Sequence, residues 1–256
     1  MRRILLLLAG ALLFLGGACA GGDDGNASPT QPGASTPAGH TLSPLEQKLA
    51  SVVLQPNEVP TGMDAGAPDF TTNEELAGAD QAELQRLMDL GRQLGVDVQF
   101  IPTGNLEEGS PLRGLQSSAR VYTSDSGARQ TFQETASQSR AHDWAADYPE
   151  LEDAQSAEMP QQVGDESLWI RITGQQGCTF IASPTPDPQG VVPTQECLDT
   201  MLLIVDEIIF RVGRTYNYLR VISLFPPLAP RDTTYVAPIN SWTTLVTQRA
   251  AAEFPG

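Results

Sequence analysis

The stretch from Gly164 to Leu224 constrains the fold most. Leu168, Ile170 and Ile172 alternate with Trp169, Arg171 and Thr173, the two-residue period of a half-buried strand. Leu203 to Val212 and Thr215 to Leu224 are long apolar runs separated only by Gly213-Arg214, a spacing that predicts a hairpin. Between the first strand and the hairpin, Cys178 and Cys197 bracket a loop rich in Pro, Thr and Gly. Strands joined this closely pair antiparallel, so this stretch reads as the centre of an antiparallel sheet.

The rest of the chain supplies helices and two more strands. Ser43-Pro44-Leu45-Glu46 is a capping box with proline at the first helical position, and Leu45, Leu49, Val52 and Val53 share one face of the helix that follows. Pro56, Pro60 and Gly62 end it. Asp80 with Glu83 caps a second helix, striped by Leu84, Leu87, Met88, Gly91 and Leu94. Val96, Val98 and Phe100 then alternate with Asp97 and Gln99, and a polar turn at 105–109 follows. Leu115, Ser117, Ala119 and Val121 alternate with Arg120 and Tyr122 in the next strand. Ser124-Asp125 caps a helix carrying Ala128, Phe132 and Ala136 and reaching toward Trp144, and an acidic loop holds Asp147, Glu150, Glu152 and Asp153. After the hairpin come Pro226, Pro227 and Pro230, then a helix capped by Asn240-Ser241 and running through Trp242, Leu245, Val246, Arg249 and Phe254. The expected class is α+β: an antiparallel sheet of about five strands, helices on one face, and one insertion loop between the cysteines.

Charge and the N-terminus bear on where the chain resides. Fifteen basic residues stand against 31 acidic ones, a net charge of −16, which argues against a nucleic-acid partner. Arg2-Arg3 followed by the apolar run Ile4 to Leu15 has the form of an export signal, too short to span a bilayer. Leu15-Gly16-Gly17-Ala18-Cys19 resembles a bacterial lipobox, with Gly16 a departure from its usual branched residue. That resemblance implies a leader over 1–18, lipidation of Cys19 and attachment to the outer face of the cell membrane. The alternative is cleavage after Ala20 and secretion. Residues 19–42, rich in Gly, Ser, Thr and Pro, read as a flexible tether, and residues 43–256 as a single extracytoplasmic domain. With Cys19 lipidated, two of the three cysteines remain. A Cys178–Cys197 disulfide is then expected, closing a loop of about 20 residues and worth roughly 3 kcal/mol on a chain-entropy account. Two free buried thiols are the alternative.

Two further motifs carry a family resemblance. Leu54-Gln55-Pro56-Asn57-Glu58-Val59-Pro60-Thr61-Gly62-Met63 is similar to an "L-x-x-x-D-L-P-x-G-aromatic" opening, from which Glu58 and Met63 depart. Val163-Gly164-Asp165-Glu166-Ser167, with Phe210-Arg211-Val212-Gly213, is similar to a "GD-E…FR-x-G-N" strand pair. Both resemble sensor-like lipoproteins of actinobacteria and green non-sulfur bacteria, some of them extracellular domains of receptor kinases. The resemblance implies a PsbP-like sandwich over residues 45 to 256 and no catalytic residue.

Chemical constellations are sparse. The two histidines, His40 and His142, are far apart, and no G-x-S-x-G or S-x-x-K motif is present. Too few soft ligands exist for zinc. The acidic quartet Asp147, Glu150, Glu152 and Asp153 lacks EF-hand spacing. Acidic pairs such as Asp165-Glu166 and Asp206-Glu207 are expected by chance in so acidic a chain. No cofactor or metal is expected. The candidate binding surface is aromatic: Trp169, Tyr216 and Tyr218 with Arg220, on a second face of the sheet. The expected role is non-catalytic ligand binding or sensing at the membrane, toward an unidentified small molecule or protein. Lipid-carrier or envelope-assembly work and, last, hydrolysis are the alternatives.

Overall fold

A computed structural model describes residues 41–103, 110–149, 151–176, 201–225 and 236–256, all within one compact unit, Thr36–Gly256. The leader, Cys19, almost all of the tether, the 105–109 turn, Glu150, the Cys178–Cys197 loop and the proline-rich connection lie outside the described residues.

The chain runs α1 (Pro44–Val52), β1 (Met63–Ala65), β2 (Asp69–Thr71), α2 (Asn73–Ala77), α3 (Gln81–Asp89), β3 (Arg92–Pro102), β4 (Leu112–Tyr122), α4 (Asp125–Ala141), β5 (Leu151–Glu158), β6 (Glu166–Gln176), β7 (Met201–Val212), β8 (Thr215–Phe225) and α5 (Val236–Glu253). The expected caps form. Glu46 N–H donates to Ser43 Oγ at 3.3 Å and Ser43 N–H donates to Glu46 Oε2 at 2.6 Å. The Asp80 carboxylate accepts from Ala82 and Glu83 N–H groups at 3.0 and 3.1 Å. The α5 start differs: the helix opens at Val236, ahead of the Asn240-Ser241 cap expected from sequence. Pro238 sits in its first turn, where a missing N–H breaks no helical bond. Trp144 is not part of α4 but stands in a 3-10 turn over Trp144–Asp147.

The sheet is antiparallel throughout, in the order β1-β3-β4-β8-β7-β6-β5, with β2 also on β3. Among the described residues the sheet has eight strands, against the expected number of about five. β1 and β2 have three residues each, too few to show a period. β5 is an edge strand whose Leu-Glu-Asp-Ala-Gln-Ser-Ala-Glu is mostly exposed, so no alternation marks it. Its backbone pairing with β6 alone makes it a strand.

The helices cover both faces of the sheet rather than the one face expected. On the first face, Val98, Ser117, Leu219, Ile208 and Trp169 lie in one cross-strand row. They join Leu49 and Val52 of α1 and Ile239, Trp242, Val246 and Phe254 of α5 in the main core, with Ser117 adding a hydrogen bond from Leu54 N–H at 3.1 Å. Burying each large apolar side chain there contributes about 1.5–3 kcal/mol. On the second face lies α4. Gly127 meets the Tyr122 ring, and Asp125 accepts a bond from Arg211. Ala128, Phe132 and Ala136 are buried with Leu168, Ile170 and Ile209 on that side.

Candidate functional site

The α4 face carries charge in register. Three rows cross it: Gly95–Arg120–Tyr216–Arg211–Glu166, Asp97–Ser118–Tyr218–Ile209–Leu168, and Gln99–Gln116–Arg220–Glu207–Ile170. Tyr216, Tyr218 and Arg220 therefore share a face, as their spacing in β8 requires. Trp169 does not join them. It points to the α5 face, where its indole N–H donates to Asp206 Oδ1 at 2.6 Å. Arg171 completes that group with 2.7 and 3.1 Å bonds to the two Asp206 oxygens, its guanidinium 5.2 Å from the Trp169 ring. The expected four-residue surface is thus divided by the sheet. Asp206 and Glu207 point to opposite faces for the same reason, so they do not form a carboxylate pair.

Arg220 is committed as well. Its Nε lies 3.1 Å from Glu207 Oε1, and its Nη2 donates to the Tyr148 hydroxyl at 2.9 Å. The Tyr218 hydroxyl donates to the other Glu207 oxygen. Burial raises the Glu207 pKa to about 7, although Arg220 and Tyr218 both pull it down. Burial likewise pushes Tyr148 to about 12, and Tyr218 well above the ordinary phenol.

Among the described residues, Arg120 on this face has no such partner. Arg120 is half-buried, with its guanidinium 5.4 Å from the centre of the Tyr216 ring. No carboxylate lies within 4 Å of it, and it makes no hydrogen bond within the described residues. Tyr122, Asp97 and Tyr218 are its other electrostatic neighbours. Asp97 is turned instead to Ser118 Oγ and to Gln116 Nε2, the latter at 3.0 Å. Arg92 adjoins it, fully buried, donating to Asn73 Oδ1 and the Thr71 carbonyl at 2.8 and 2.9 Å, with Nε unsatisfied. Burial and then the nearby Arg120 lower the Arg92 pKa to about 10. Gly95 makes the arrangement fit: a Cβ there would stand 2.5 Å from Arg92 Nη2 and 3.5 Å from Arg120 Cγ. Arg120 was visible in the sequence only as the polar half of an alternation. Its pairing with Tyr216 depends on β4 lying beside β8, a contact between distant segments.

The sheet end near the hairpin turn holds an open cleft of about 570 Å³, lined by Asp125, Arg129, Asp165, Arg211 and the end of α5. Arg211 is bracketed there by Glu166 at 2.6 Å, Asp165 at 3.1 Å and Asp125. Gly213 N–H donates to Asp165 at 2.8 Å. Gly164 has φ +61 and lies against the Arg211 carbonyl, where a side chain has no room. The Gly164-Asp165-Glu166 and Phe210-Arg211-Val212-Gly213 motifs are therefore two halves of one bracket joining β6 to β7. The other motif is structural too: Glu58 binds Arg249 of α5, and its carbonyl accepts from Trp242 Nε1 at 3.0 Å.

A smaller hollow of about 190 Å³ is lined by Ser139, His142, Trp144, Ser156 and Glu158 among others. His142 Nε2 is 2.6 Å from Asp147 Oδ2, and the imidazole meets Trp144 edge-on at 4.8 Å. No serine is hydrogen-bonded to that ring among the described residues. Of the acidic quartet, Asp147 is taken by His142 and Glu152 and Asp153 lie in β5. No group of three His, Cys, Asp or Glu side chains among the described residues is placed to hold a metal.

No family model matches the chain, and no curated protein matches it. Among solved structures, the extracellular domain of PknH from Mycobacterium tuberculosis aligns over 81% of this chain and 96% of that one, at 8% identity and a TM-score of 0.39. A likeness of that degree carries no argument about fold or function.

Proposed function

We propose that this protein is an exported binding or sensing domain, anchored to the outer face of the cell membrane through lipid on Cys19, with no catalytic role. The observation that carries the binding role is the half-buried Arg120 guanidinium on the α4 face, set against the buried Tyr216 ring with the half-buried Tyr218 on the same face. Aromatic rings beside an unneutralised guanidinium suit recognition of a small polar ligand. The anchor rests on the lipobox-like Leu15-Gly16-Gly17-Ala18-Cys19. No helix among the described residues is long and apolar enough to cross a membrane. The test is capture of the tethered protein from its native envelope after metabolic labelling with a fatty-acid probe. Label on Cys19 and a co-purifying small molecule are expected. An unlabelled mature chain without a ligand contradicts the reading.

A hydrolase is the second reading, and the His142–Asp147 pair beside Ser139 and Ser156 is its one support. General-base catalysis needs the nucleophile within hydrogen-bond reach of the imidazole. Ester or peptide turnover abolished by His142→Ala would decide for it.

A further inference from the structure

We infer that the strip around Arg120 is an oxyanion subsite, which takes the carboxylate or phosphate group of a small ligand. This deepens the binding role proposed above and rests on it.

Charge is balanced unevenly inside this acidic fold. Four other buried or half-buried arginines are matched: Arg171 to Asp206, Arg211 to three carboxylates, Arg220 to Glu207 and Arg249 to Glu58. Arg113 and Arg214 are half-buried without a carboxylate, but each stands apart from other arginines, Arg113 donating to two carbonyls and Arg214 lying over the Phe254 ring at the hairpin turn. Ordinary folding leaves few half-buried cations without an anion, because desolvation is then uncompensated. Arg120 and Arg92 are the exception on this face. They repel each other, neither meets a carboxylate within 4 Å among the described residues, and the buried Arg92 Nε has no acceptor there. The nearest carboxylate, on Asp97, is occupied by Ser118 and Gln116. Arg120 is half-buried and so within reach of a solute, and the Tyr216 ring holds its guanidinium plane in place. Guanidinium geometry matches a carboxylate or phosphate with two parallel bonds, and partial burial strengthens them. An incoming oxyanion thus supplies the charge that the fold omits. The chain's net charge of −16 disfavours anions generally, so binding at this point requires a local site.

The test is titration of the full-length protein in detergent with inorganic phosphate and, separately, with benzoate, at constant ionic strength, read by calorimetry. Saturable binding of at least one probe is expected, and the stronger of the two identifies phosphate or carboxylate as the natural group. Arg120→Gln should weaken it about tenfold or more, since a charge-assisted bond is lost. Asp97→Asn should tighten it by removing a competing negative charge. Arg113→Gln should leave it unchanged, because Arg113 donates to the carbonyls of Ser110 and Leu112. If Arg120→Gln does not fold, Arg120→Lys keeps the charge but loses the paired bonds and should bind more weakly than wild type. Equal affinity in wild type and the folded Arg120 variant, or no saturable binding of either probe, overturns the inference. A neutral envelope ligand held equally by wild type and Arg120→Gln would remove the subsite while leaving the binding role intact.

Discussion

The two faces of one sheet treat charge in opposite ways, and neighbouring residues of β7 show it. Asp206 faces α5 within the main core, and its two oxygens accept three bonds, from Trp169 and Arg171. Glu207 faces α4 and approaches Arg220 at 3.1 Å, yet its Oε1 makes no well-aligned hydrogen bond. The first carboxylate is saturated by donors and serves as a strut between β6 and β7. The second sits where burial outweighs pairing, and its pKa rises to about 7. The α5 face is closed and structural. Both faces bury neutral polar atoms without partners, among them Asn217 Oδ1 and Ser223 Oγ on the α5 side, but on the α4 face the unmet atoms include charged groups, Glu207 Oε1 and Arg92 Nε, the condition expected of a surface that meets a charged ligand.

The largest effect is expected from breaking the saturated side. Asp206→Ala leaves the Trp169 indole and Arg171 facing an apolar core, and should cost about 3–5 kcal/mol in urea unfolding. A loss below about 1 kcal/mol would erase the contrast with Glu207.

Glu207→Gln probes the unsaturated side and is pH-dependent. Burial holds the folded-state pKa near 7, above the ordinary carboxylate, so the folded protein keeps this proton where the unfolded chain has lost it. The associated stability is present in full below the ordinary value and disappears as pH rises through about 7, on the order of 3 kcal/mol across that window. The glutamine variant lacks this slope. It should match wild type near the acid end and exceed it on the alkaline side. Loss of stability at alkaline pH would mean that the Arg220 ion pair dominates instead.

Two smaller substitutions sharpen the same contrast. Trp169→Phe deletes one of three bonds to Asp206 and should cost about 2 kcal/mol at every pH in the range, measured by denaturant midpoint. Tyr218→Phe should cost about 1 kcal/mol. It also removes a bond that holds Glu207 down, so the wild-type pH slope should move to higher pH in that variant.

Local signals in the sequence were readable because they act locally. The Ser43, Asp80 and Ser124 caps, the Gly213-Arg214 turn and the alternation in β3, β4 and β6 all depend on residues a few positions apart. β5 escaped because an exposed edge strand needs only backbone partners. The candidate site was half legible. The parity of Tyr216, Tyr218 and Arg220 follows from β8 alone, whereas placing Trp169 opposite them requires the β6–β7–β8 register, with Trp169 opposite Ile208 and Ile208 opposite Leu219. Arg120 needed the β4–β8 pairing, which joins segments nearly a hundred residues apart and which no local pattern encodes. Arg220 looked like the available cation because its counter-ion, Glu207, lies across the hairpin and only the register brings them together.

NMR during addition of phosphate or benzoate to the full-length protein shows whether the α4 face meets the ligand while the α5 face only holds the fold. The ring signals of Tyr216 and Tyr218 should shift and saturate, while the indole N–H signals of Trp169 and Trp242 stay fixed. Shifts at Trp169 or Trp242 with the tyrosines unmoved would place the ligand on the α5 face instead.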